Sequence, residues 1–278
     1  MNRPTVGLVL SGGGARGMAH IGVLRVFERE GIPIDYLAGT SMGGLLAAGY
    51  ASGYSAAEIE EIAITKTRNH GMLRFADLSF PNGGVIRGKR LLEFFIQLFG
   101  ERTFSDLNLP LALVAVDLNS HREIIFQDGP VAIAVRATIS YPGIFMPLEL
   151  NGLRLVDGGI LNNLPVDAAV QMGADIVIAV DIGLSSQVKV SHWTAKRCWI
   201  PKSISTTLDT LSESLYTLRI IEQENKLRQF PPAVIIQPDL AKDINSFAGY
   251  DRVEESVKAG ALAAEDRLDE IKALLCPR

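Results

Sequence analysis

The chain is 278 residues long, 47% hydrophobic and 21% charged, an ordinary globular composition with enough chain to bury one large core. A formal net charge of −4 argues against non-specific nucleic-acid binding, where clustered positive charge supplies most of the affinity. Cys198 and Cys276 match no metal or redox spacing and read as reduced thiols, and His20, His70, His121 and His192 form no zinc-ligand pattern. No run approaches the roughly 18 apolar residues of a membrane span, and the apolar run Thr5 to Leu10 is too short for a secretory leader. The expectation is a cytoplasmic protein whose membrane contact, if it has any, is peripheral.

In chain order, Val6 to Leu10 is an apolar run of buried-strand length, ended by Ser11-Gly12-Gly13-Gly14. Residues 16–30 carry helical spacing on Ile21, Leu24, Val26 and Phe27, with Gly31-Ile32-Pro33 as the stop. Ile34 to Ala38 reads as a second strand and 42–53 as a helix rich in small residues. Strand, glycine turn, helix, strand, turn, helix is the pattern of a parallel sheet with crossover helices. Helices near 56–68 and 88–99 follow, then the strand Leu111 to Val116, with 122–126 as a hairpin partner. A helix near 130–139 leads into Tyr141-Pro142-Gly143-Ile144-Phe145-Met146-Pro147. Leu153 to Val156 is a short strand before Asp157, Val166 to Met172 is helical, and Asp175 to Val180 is another buried strand. A long helix over 203–229, a strand at 233–236 and one amphipathic helix over 250–275 complete the chain. The reading is a single α/β domain over 5–275.

Three motifs carry chemistry. Gly39-Thr40-Ser41-Met42-Gly43 fits Gly-x-Ser-x-Gly between a strand and a helix. Such a turn holds a serine in strained geometry, with Gly39 and Gly43 removing side chains that would clash. The plain alternative is a serine N-cap with glycines for packing. Gly12-Gly13-Gly14-Ala15-Arg16-Gly17 can aim successive N–H groups into one concavity, as an oxyanion hole, a phosphate cradle or only a tight turn. The dinucleotide fingerprint fits poorly, because Asp35 opens its strand where the pattern wants an acid at the strand's end. Asp157-Gly158-Gly159 offers a carboxylate base, although Asp-Gly is also a common turn dipeptide. Only His192 follows Asp157, and His20 reads as a packed helix residue, so a Ser–Asp pair remains where a triad would need histidine.

Together, in this order and spacing, the motifs resemble the patatin-like phospholipase family. Arg136 to Pro147 and Gly84-Val85-Ile86-Arg87-Gly88 resemble further family segments, and the likeness spans about residues 5–182, the part from 183 to 278 being less diagnostic. The resemblance implies a three-layer α/β/α sandwich with a mostly parallel sheet and a lipid acyl hydrolase acting on phospholipids, lysophospholipids or related esters. It implies Ser41 as nucleophile, Asp157 as its base, and the Gly12, Gly13 and Gly14 loop as oxyanion hole, with Arg16 reinforcing it. No metal or organic cofactor is implied, and the partner is a lipid or ester substrate. Acyl transfer on the same acyl-serine, a non-catalytic lipid-binding module and nucleotide binding by the glycine loop are the rival readings. Segment 189–202 interleaves Trp193 and Trp199 with Lys189, Lys196, Arg197 and Lys202, which suits a lipid-docking loop, or equally a buried tryptophan pair ringed by solvated charges.

Overall fold

Strand β1 (Val6–Leu10) is buried along its whole length, as the near-continuous apolar run of a strand covered on both faces requires. It belongs to a computed structural model that describes residues 3–67, 77, 86–183, 202–244 and 249–276. After β1 come a 3-10 turn (Gly14–Met18), α1 (Ala19–Glu30), β2 (Tyr36–Thr40), α2 (Ser41–Ala51), α3 (Ala56–Thr67) and α4 (Lys89–Phe99). The middle of the chain forms β3 (Leu111–Asp117), β4 (Arg122–Phe126), α5 (Val131–Thr138), β5 (Leu148–Leu150), β6 (Leu153–Asp157) and α6 (Val166–Gln171). The last elements are β7 (Ile176–Val180), α7 (Lys202–Gln229), β8 (Val234–Ile236), α8 (Val253–Glu265) and α9 (Leu268–Leu275).

The strands form one sheet in the order β5-β6-β3-β2-β1-β7-β8, with β4 also paired to β3. The run β3-β2-β1-β7-β8 is parallel, whereas β4 and β6 lie antiparallel to β3 and β5 antiparallel to β6. Period-two alternation divides the core. Val6, Leu8 and Leu10 face a thick layer that includes α1, α2, α3, α4, α5 and α8, while Val9 faces α6 and the end of α7. The result is the expected three-layer α/β/α sandwich with a mostly parallel sheet.

One detail of β3 positions the site. Both β2 and β4 pair with its Leu113–Val114 stretch, and both β4 and β6 pair with its Ala115–Asp117 stretch. A strand has only two edges, so β2 and β6 share one of them, end to end. Thr40 pairs with Val114 and Asp157 with the next residue, Ala115. The two strands run toward each other and stop there.

Several boundaries differ from the sequence reading. The helix expected over 16–30 is a 3-10 turn followed by α1, because three glycines delay the regular ladder. The second strand starts at Tyr36, since Ile34 and Asp35 form the turn into it and the Asp35 carboxylate accepts the Val6 N–H at 2.7 Å. The C-terminal helix divides at Asp266 and Arg267 into α8 and α9, and β5 is a strand the pattern missed. Gly84, Val85, Cys198 and the loop carrying Trp193 and Trp199 lie outside the described residues.

Helix α1, which leads away from the glycine loop, is backed by α8 at backbone contact distance. A Cβ on Gly260 would meet the Ala19 carbonyl oxygen at 1.8 Å, and one on Gly22 would meet that of Val257 at 1.9 Å. Gly260→Ala should therefore cost about 1–3 kcal/mol or more, seen as a lower denaturant midpoint. An unchanged midpoint would mean that the two helices can separate without penalty.

Candidate active site

Ser41 is the first residue of α2 and has φ +55, left-handed backbone in a residue with a Cβ. That conformation costs about 1–2 kcal/mol. Thr40 before it is still extended, at φ −127 and ψ 141, so the chain turns from strand to helix within one residue. Both flanking glycines are needed sterically. A Cβ on Gly39 would lie 2.8 Å from the Gly43 and Gly44 backbone, and one on Gly43 would lie 2.3 Å from the Leu10 carbonyl oxygen. The Ser41 N–H donates to Thr138 Oγ1 at 2.9 Å, and that hydroxyl donates to the Val114 carbonyl at 2.5 Å. The Ser41 side chain stays partly exposed.

Asp157 ends β6 and is 2% exposed. Its Oδ1 accepts the Gly159 N–H at 2.8 Å, while Oδ2 is buried without a hydrogen bond of full geometry. Burial pushes its pKa above the ordinary carboxylate value, opposed by the Arg219 charge, by a hydrogen bond from Ser41 and by the Gly159 N–H. The structure thus brings Ser41 and Asp157 together, 116 positions apart in the numbering but at facing strand ends.

The glycine loop lies against the serine, for a Cβ on Gly12 would sit 2.9 Å from Ser41 Cβ. Its donors are not equivalent. The Gly12 N–H is spent on the Asn163 carbonyl at 3.1 Å, so Gly12 differs from the expected donor role and serves instead as the point of close approach. Gly13 caps the 3-10 turn and Gly14 opens it, so their N–H groups precede the first intrahelical acceptor. Arg16 is 7% exposed and is engaged elsewhere, donating to Ile182 O at 2.6 Å and Ile244 O at 3.2 Å. It fastens the loop to the segments after β7 and β8, and burial lowers its pKa. His20 is fully buried below the loop, with Nε2 donating to Ser11 O at 2.8 Å and a pKa pushed down by burial to about 4. It packs as a helix residue, and no histidine is aimed at the serine among the described residues.

Residues to which the sequence reading gave no individual role complete the surroundings. Asn163, 2% exposed, donates to the Gly12 carbonyl at 3.3 Å and accepts a hydrogen bond from Arg219 of α7. Arg136 holds the Tyr141–Pro147 segment by donating to the carbonyls of Gly88 at 3.1 Å and Met146 at 3.1 Å. Beside Asp157 opens a largely apolar cavity of about 140 Å³, walled by Tyr141, Pro142, Leu161, Leu215 and Leu218, with Arg219 and Glu222 also lining it. The α7 residues carried no local motif. Among the described residues no cluster of acids, histidines or cysteines could hold a metal.

The model of the patatin-like phospholipase family matches residues 8–170, which carry the serine, the glycine loop and Asp157. The chain belongs to the patatin-like phospholipase family. Human patatin-like phospholipase domain-containing protein 6 is 36% identical over 193 residues, covering 68% of this chain and 14% of that protein. Lysophospholipase NTE1 of Pyricularia oryzae is 32% identical over 271 residues, 92% of this chain and 18% of its own length. The chain thus spans less than a fifth of either relative. Among solved structures, VipD from Legionella pneumophila shares the fold at 16% identity and a TM-score of 0.53, over 97% of this chain and 67% of that one. No helix among the described residues is long and apolar enough to cross a membrane.

Strain at Ser41 has a measurable sign. Ser41→Gly should unfold at higher denaturant than Ser41→Ala, by about 1 kcal/mol, because glycine adopts φ +55 without the Cβ clash. Equal stability of the two variants would mean that the turn relaxes when the serine is lost.

Proposed function

We propose that residues 5–275 act as one catalytic domain that hydrolyses carboxylic esters of lipids through a Ser41–Asp157 dyad. The observation that carries this reading is the strained serine at one strand end facing a buried carboxylate at another, beside an apolar cavity. Asp157 removes the Ser41 proton as Oγ attacks the ester carbonyl carbon, and the oxygen that becomes negative takes the N–H groups of Gly13 and Gly14. The tetrahedral adduct collapses, breaking the carbon–oxygen bond to the alcohol, which leaves with the proton held on Asp157. Water then repeats the sequence against the acyl-serine, giving its proton to Asp157, and Ser41 is restored as the fatty acid departs. A raised pKa makes Asp157 a stronger base than an exposed carboxylate.

The lysophospholipase name of the fungal relative supports a lipid ester as substrate. So does the cavity. An engineered apolar cavity of similar size holds benzene, so about 140 Å³ suits about six carbons of an acyl chain, with the rest passing over Leu218. Transfer chemistry that needs a histidine finds no support among the described residues, where His20 is committed to Ser11 O. A phosphate cradle is likewise disfavoured by the engagement of the Gly12 N–H with Asn163.

With p-nitrophenyl butyrate as substrate, Ser41→Ala and Asp157→Asn should each lower kcat by about 100-fold or more while remaining folded. Activity that survives Ser41→Ala would place the nucleophile elsewhere. Asp157 must be ionised to act, so wild-type kcat/KM should fall on its acidic limb at a pKa above 3.8. Leu218→Trp narrows the cavity, and kcat/KM for octanoyl relative to butyryl ester should drop about 10-fold. An unchanged ratio would put the acyl chain somewhere else.

A further inference from the structure

Helix α7 carries a row of polar side chains that reach back into the fold. Tyr216 donates to Gly183 O at 3.3 Å, Gln223 donates to Asp181 at 3.0 Å, and Lys226 meets Asp167 at 2.6 Å and Glu123 at 2.9 Å. These three residues seat the helix. Arg219, between them, is directed at the groups that would do the chemistry.

Its Nη2 donates to Asn163 Oδ1, and the same asparagine grips the glycine loop twice, by Nδ2 to the Gly12 carbonyl and by its own carbonyl to the Gly12 N–H. A Cβ on Gly159 would lie 3.0 Å from both Arg219 Nη2 and Asp157 Oδ1. The guanidinium and the carboxylate are therefore no more than about 6 Å apart, within the range where an opposite charge favours the ionised form. Arg219 also hydrogen-bonds the Tyr141 side chain, and its Nε is buried without a partner. Among the described residues, the charged and titratable groups lining the cavity with Asp157 are Arg219, Glu222 and Tyr141, Arg219 being the cation.

We infer that Arg219 is a positioning residue that, through one guanidinium, keeps the Asp157 carboxylate charged and fixes the glycine loop through Asn163. The inference rests on the dyad reading above. Burial alone would favour a protonated Asp157, which could not accept the serine proton; the Arg219 charge acts in the opposite direction. An arginine that only pinned α7 to the body would leave the ionisation of Asp157 untouched.

The test is the pH profile of kcat/KM for p-nitrophenyl butyrate in Arg219→Gln, Arg219→Lys and a control, Lys226→Met, which loosens α7 away from the site. Arg219→Gln keeps a donor for Asn163 but no charge, so its acidic limb should move up by about 1 pH unit or more. Its activity should be depressed on the acidic side of that shifted limb and recover above it. Arg219→Lys should keep the limb near the wild-type position, and Lys226→Met should lose stability without moving the limb. Arg219→Gln with an unmoved limb, or Arg219→Lys with a limb shifted as far as that of Gln, would overturn the inference. If Arg219→Gln fails to fold, Arg219→Met, neutral and of similar length, is read in its place against Arg219→Lys, with the same outcomes. Asp157→Asn separates the two levels of argument. Full activity there sinks the dyad, whereas an inactive Asp157→Asn beside an unmoved Arg219→Gln limb sinks only the role of Arg219.

Discussion

Strand β3 is longer than the part of it that β2 covers, and what fills the rest of that edge determines where Ser41 and Asp157 meet. β2 stops at Thr40 opposite Val114, and β6 arrives from the other direction and stops at Asp157 opposite Ala115. Sheet hydrogen bonding thereby holds two distant chain segments at adjacent rungs of a third strand. The serine turn and the Asp-Gly-Gly turn each leave the sheet at that junction. A Cβ on Gly158 would lie 2.3 Å from the Val114 carbonyl oxygen, so the second turn must hug β3 with no side chain between them. The glycine loop then closes the arrangement from β1, the next strand along, where the chain order reverses and α/β sheets place their ligand crevices.

Electrostatics follows from that geometry. A carboxylate brought to a strand end inside the fold loses its water and is compensated only in part by Gly159 and Ser41. The compensating cation comes from α7, on the thinner side of the sheet. Polar groups behind the junction are densely paired: Thr40 donates to the Asn162 carbonyl at 2.8 Å, and the Asn162 side chain donates to Asp167 at 2.8 Å and Glu123 at 2.9 Å. Lys226 completes the same cluster. Ser41 and Asp157 therefore have a polar frame on one side and an apolar cavity on the other.

How much of this can be read from the sequence depends on the range of the signal. Buried parallel strands such as Val6 to Leu10 and Leu111 to Asp117 announce themselves as apolar runs, and glycine marks the turns beside Ser41 and Asp157. The hairpin of β5 and β6 had a local signal too, Asn151-Gly152, both at positive φ, but three-residue β5 is too short for an alternation pattern to stand out. The break between α8 and α9 has neither proline nor glycine to mark it. Arg219 and Asn163 were illegible for a different reason. Each is an ordinary residue in its own segment, and acquires its place only when α7 folds over a loop 56 positions earlier. The engagement of the Gly12 N–H is likewise a tertiary fact, set by Asn163.

The stretch that the family model matches ends at residue 170, before β7 begins at Ile176. β7 pairs with β1 along all five of its residues, and β8 then covers β7. Without those two strands, the side of β1 away from β2 would be a bare row of peptide groups on the sequence Val-Gly-Leu-Val-Leu, apolar and free of charge or proline. Such a margin is a template for intermolecular strand pairing. A fragment cut at the family boundary would hold the serine, the glycine loop and the aspartate, and would still be a poor thing to purify. The chain beyond residue 170 is what keeps the central strands from finding partners in other molecules.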